Sequence, residues 1–123
     1  MSPALLYVAA GLAGLWGITH LFATRGVVAG FGDISSDNRR VITMEWIVEG
    51  VALISVAAFV AVTAAIEPHA PLSSAVFAVA IGTLVALAVV SIFTGFRIAF
   101  LPYRLCPFIF GLSAVLIAVG AWS

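Results

Sequence analysis

Charge is scarce in this chain, and sulfur chemistry almost absent. Five Arg, no Lys and five Asp or Glu make up 8% of 123 residues, where ordinary soluble domains carry roughly a quarter. So little charge cannot clothe a water-facing surface, and with 64% hydrophobic residues the composition is that of an integral membrane protein. Formal net charge is zero and no basic run or Arg/aromatic interleaving occurs, so the electrostatic footprint that phosphates require is missing and nucleic acid is excluded as a partner. The single Cys106 excludes an intrachain disulfide and any CxxC motif. No basic segment precedes the first apolar run, and "WGITHLF" lacks a small-residue cleavage pattern, so that run is expected to stay in the mature protein. Also missing are the period-two alternation of a membrane barrel, a nucleotide loop, a Ser/His/Asp set and a metal-spaced His pattern; no metal site is expected and no cofactor is indicated.

What the sequence does hold is four apolar runs, at residues 3–24, 41–66, 72–100 and 104–122, each about the 20 residues that span a hydrocarbon core of roughly 30 Å. The expectation is one all-α domain over residues 1–123, an up-down bundle of four transmembrane helices. The breaks are "RGVVAGFGDISSDNRR", "EPHAP" with Pro68 and Pro71, and "LPYRLCP" with Pro102 and Pro107, where proline is expected to stop the helix. Ser36 or Asp37 is the expected N-cap of the second helix. Arg25, Arg39, Arg40, Arg97 and Arg104 all lie in or beside the first and third connections. The positive-inside rule then puts those connections in the cytoplasm and both termini outside it, most simply in a bacterial inner membrane.

The remaining polar residues fall into one layer. At 1.5 Å per residue, Glu45 lies about one turn and Glu49 about two turns inside the cytoplasmic end of the second helix, with His20 about one turn from that end of the first. Glu45 and Glu49, four apart, share a face. Two close carboxylates in low dielectric need a shared proton or a cation, for which Arg97 is the first candidate and His20 the second. They are expected to face the bundle interior or a wet cavity rather than lipid. The bland alternative is an ion-paired clasp that fixes helix register. Trp16 and Trp46, near His20 and Glu45, either wall the same cavity or simply pack the core, and Tyr103 marks the start of the fourth helix in the same layer; Trp122 suits an interfacial anchor. Gly11, Gly14, Gly17 and His20 recur every third residue, a small-residue stripe against which another helix can approach closely. The sixteen-residue first connection, with Gly26, Gly30, Gly32, Val27, Val28 and Phe31, reads either as a lid at the interface or as an ordinary amphipathic turn. Asp33, Asp37, Arg39 and Arg40 in it serve topology and capping, or an anionic headgroup.

"GLAGLWGITHLF" in the first helix and "EGVALI" in the second resemble DoxX-like small four-helix membrane proteins. That resemblance covers the first half of the chain. It implies a four-helix fold, polar positions at His20 and Glu49, and a link to quinone-dependent oxidoreductases, of which some members are subunits.

Three readings follow. The leading one is a membrane pocket for a lipophilic molecule such as a quinone, isoprenoid or sterol-like lipid. In it Glu49 and Glu45 bind or move protons with His20 assisting, and Arg97, Trp16, Trp46 and Tyr103 hold the ligand; any reaction is acid/base work of an isomerase or hydrolase kind. The second is a non-catalytic accessory or assembly subunit, packed by its polar layer and small residues into a homo-oligomer or a larger membrane complex. The third, proton-coupled transport, lacks polar steps beyond Glu49 toward the outside.

Overall fold

The computed structural model describes all 123 residues. Four α-helices run in sequence: α1 Pro3–Ala29, α2 Ser36–Ile66, α3 Pro71–Phe93 and α4 Leu101–Trp122, with a short 3₁₀ turn, η1, at Gly95–Arg97 between the last two. There is no strand, and all four helices are long and apolar enough to cross a membrane.

The ends of these helices differ from the hydropathy reading. A helix needs apolar residues to span a bilayer but not to continue beyond it, so α1 runs through Arg25 and Gly26 to Ala29. What stops it is Gly32, whose φ of 70° lies in the left-handed region that only glycine enters freely. Ser35 rather than Ser36 or Asp37 caps α2, its hydroxyl accepting from the Asn38 backbone N–H at 3.1 Å, with Asp37 in the first turn. The first connection is thereby cut to residues 30–35. At 1.5 Å per residue α2 is about 46 Å long, well beyond a hydrocarbon core of roughly 30 Å.

The expected third helix to residue 100 ends at Phe93, where the Thr94 backbone and hydroxyl both donate to the Val90 carbonyl and η1 turns the chain. The fourth begins earlier than expected, because Pro102 sits in its first turn, where its missing N–H is no loss. Nor does Pro107 stop α4; it lies buried inside the helix. A proline there leaves the Tyr103 carbonyl without its helical donor. That carbonyl lies against Gly95, where an added Cβ would come within 3.2 Å of it.

α2 packs on α1, α1 on α4 and α4 on α3, while α2 and α3 barely meet. The core between them is built from Leu6, Leu53, Leu84, Phe77, Phe110 and Ile117, all essentially inaccessible. Only 25 of 123 residues are buried, and the outward faces carry large apolar side chains such as Phe59, Leu72 and Val79, a surface far more apolar than soluble monomers expose. The Gly stripe works at two of its three glycines. A Cβ on Gly14 would meet the Ala57 Cβ at 3.2 Å and one on Gly17 the Gly50 carbonyl oxygen at 2.8 Å, whereas Gly11 faces open space. α1 and α2 therefore cross in backbone contact at Gly17 and Gly50. The alternating direction of the helices brings Arg25, Arg39, Arg40, Arg97 and Arg104 to one end of the bundle, here the basic end.

Candidate functional site

The Gly17/Gly50 crossing fixes what lies one turn further toward the basic end. Since neither residue has a side chain to hold the helices apart, His20, one turn beyond Gly17, meets Trp46, one turn before Gly50. The two rings stack at 3.9 Å between centroids and 12° between planes, and the Trp46 indole N–H donates to the His20 carbonyl at 2.6 Å. His20 is buried. Its Nε2 lies 3.2 Å from Glu49 Oε2, an ion-pair distance, but out of line for a hydrogen bond, so that Nε2 makes none. The Glu49 side chain is 42% exposed against 8% for His20. The carboxylate thus faces outward with the imidazole behind it.

Glu49 looks into a cavity of about 1010 Å³ at the basic end. One wall is the last two turns of α1 with the start of the connection, from Phe22 to Phe31; a second is the α2 face carrying Ile42, Glu45, Trp46, Val48 and Glu49; the third is Ile98, Phe100 and Tyr103. The Tyr103 ring stands edge-on to Trp46 at 5.9 Å and Phe100 edge-on to Tyr103, also at 5.9 Å. Ten of the 14 lining residues are hydrophobic, and the only charged ones are Glu45 and Glu49.

Of the residues singled out by sequence, Glu45, Glu49, Trp46 and Tyr103 come together on this cavity, and His20 backs it. Trp16 does not line it. It packs against the core one turn from His20, with its indole N–H buried. Arg97 lies exposed on η1 and pairs with no carboxylate, so the expected order of partners is reversed and His20 takes Glu49. Three of the other four arginines are engaged locally, while Arg25 on α1 pairs with no carboxylate. Arg39 donates to the Gly32 carbonyl at 3.1 Å, Arg40 faces Asp37 at 3.4 Å, and the Arg104 guanidinium lies 5.3 Å over the Phe96 ring. Nowhere do three His, Cys, Asp or Glu side chains converge as metal ligands.

Sequence reasoning missed Phe22, Ala23, Ile42, Val48, Ile98 and Phe100. The spacing of Phe22 and Gly26, one turn apart on an α1 longer than expected, was the available signal for the first wall. Gly26, Val27, Gly30 and Phe31 of the expected first connection line the cavity, the first two from within α1. Compared with known protein families, curated proteins and solved structures, the chain matches none.

Proposed function

We propose that the protein binds a lipophilic small molecule in this cavity, of quinone, isoprenoid or sterol-like size, and that Glu49 is the polar contact that orients it. The observation that carries this reading is a carboxylate facing an apolar cavity of about 1010 Å³ while a buried imidazole stands behind it. Ligand sites are built this way, with a largely apolar wall and a few fixed polar groups. Glu49 serves as the proton acceptor or hydrogen-bond partner, His20 positions it, and Glu45, one turn closer to the end, supplies a second carboxylate. Any reaction at this set is acid/base chemistry of the isomerase or hydrolase kind. The chain is read as lying in a bacterial inner membrane with the basic end cytoplasmic and both termini outside; the DoxX-like likeness of "GLAGLWGITHLF" and "EGVALI" agrees with a quinone-sized ligand.

A second reading, a subunit packed into an oligomer or larger complex, is favoured by the weak contact between α2 and α3, which leaves a groove of about 230 Å³ between Val56, Phe59, Val76 and Val79. Native mass spectrometry of the chain extracted gently from its own membrane separates the two. A defined lipophilic adduct on the native chain, lost in a Glu49→Gln variant of unchanged helical content, is the expected result. An adduct retained in that variant removes Glu49 from the role, and co-purifying polypeptides with no adduct place the second reading first.

A further inference from the structure

We propose that the molecule held in the cavity is a lipophilic cation, an amine or quaternary ammonium carried on an apolar body. This rests on the ligand-binding reading above and narrows it from any lipophile to one charge class.

Charge on the cavity wall is of one sign. The wall carries Glu45 and Glu49 and not one Arg or His. Arginines crowd the same end of the molecule, yet three are occupied elsewhere, Arg39 by the Gly32 carbonyl, Arg40 by Asp37 and Arg104 by the Phe96 ring, and neither Arg97 nor Arg25, on α1 beside the wall, pairs with either Glu. Glu49 has His20 at 3.2 Å on its far side, whereas Glu45 has no ion-pair partner at all. An apolar cleft with uncompensated negative charge repels an anionic amphiphile and gains from a cation, since Coulomb terms strengthen as water is excluded.

The aromatic side chains favour the same charge class. Phe22, Phe31, Trp46, Phe100 and Tyr103 line the same cavity as the two carboxylates. Trp, Tyr and Phe faces attract ammonium groups through the ring quadrupole, most strongly when desolvated, and cages of such rings are a recognised way to hold a quaternary ammonium. A neutral quinone or isoprenoid would use the rings but make no charge contact with Glu45 or Glu49. The cavity is not enclosed, which lets the apolar body of such a ligand extend beyond it while its head meets Glu45 and Glu49.

The test uses the whole chain in zwitterionic detergent with four probes: tetraphenylphosphonium, tetraphenylborate of almost the same size and opposite charge, a short-chain benzoquinone and farnesol. Saturable binding is read by equilibrium dialysis and by Trp fluorescence, with a Trp46→Phe variant locating the signal. The phosphonium is expected to bind about tenfold more tightly than the borate or either neutral probe, the scale of one desolvated cation–ring contact. That preference is expected to disappear in an E45Q/E49Q variant. Equal or tighter binding of the borate or a neutral probe to the native chain overturns the cation assignment and leaves the binding site standing. Failure of all four probes to bind saturably removes the site itself. Because the preference is read on the native chain, the outcome does not depend on the variant folding.

Discussion

Trp46 makes two different contacts with one residue, a ring stack on the His20 imidazole and a hydrogen bond to the His20 carbonyl. A Trp46→Phe substitution keeps an aromatic face and deletes the donor. The expected cost is about 1 kcal/mol, the net worth of one such bond, measured by denaturant titration in detergent micelles; no loss would mean that the stack alone holds the helices. The Glu49 carboxylate of the His20–Glu49 pair is 42% exposed, so a double-mutant cycle over His20→Ala and Glu49→Ala is expected to return only about 0.5 kcal/mol of coupling. A coupling several times larger would make the pair a structural clasp rather than the back of a binding site. At this scale much of the site was legible. Spacing by four put Glu45 and Glu49 on one face, and distance from the helix ends put His20 at their level. The choice of His20 over Arg97 as partner was not legible, because it depends on η1 carrying Arg97 away from the α1–α2 crossing, and nothing in "TGFRIAF" announces that turn.

The α1–α2 crossing depends on two missing side chains. Gly17→Ala drives a Cβ to 2.8 Å from the Gly50 carbonyl oxygen, and that oxygen belongs to backbone that cannot swing aside. Overpacking of this kind costs about 2 kcal/mol, and it would also part His20 from Trp46. Gly11→Ala, with nothing within 4 Å, supplies the control: it is expected to leave stability unchanged or slightly raised. Equal melting temperatures for the two variants would mean that the stripe does not set the helix approach. Four apolar runs were enough to count the helices, since hydropathy reports what must be buried in lipid. Their ends were less legible, because ends are decided by single residues acting locally. Gly32 with its positive φ and the Ser35 cap moved two boundaries outward, and Pro102 proved a starting rather than a stopping residue. Those displaced ends matter for function, as the last two turns of α1 and the segment from Ile98 to Tyr103 are two of the three cavity walls.

For the molecule as a whole, the structure puts the first connection and the termini at opposite ends of the bundle, with the Ser2 N–H bonded to the Gly120 carbonyl at 2.7 Å. In a Cys106→Ser background, single cysteines at Ser2 and Ser123 are expected to react with an impermeant maleimide from outside the cell, and one at Ser36 only after the membrane is opened. Labelling of Ser2 and Ser36 positions from the same side would overturn the four-span arrangement, and reversed sidedness would overturn the orientation drawn from the arginines. Charge asymmetry was fully legible in the sequence, since it needs only residue identity and order. A pocket was expected there, but most of its wall was not legible, because Phe22, Ile42, Ile98 and Phe100 are brought together only by the folded chain.

The sparse contact between α2 and α3 has a consequence for how the protein is put together. The first two helices and the last two are hairpins, joined by residues 67–70 and pressed together along α1 and α4. Each pair is expected to enter a bilayer as a unit before meeting the other. A gene cut between Pro68 and His69 and expressed as two halves should therefore yield a reassembled complex. Its cavity, however, draws walls from both halves, so neither half alone should retain a ligand.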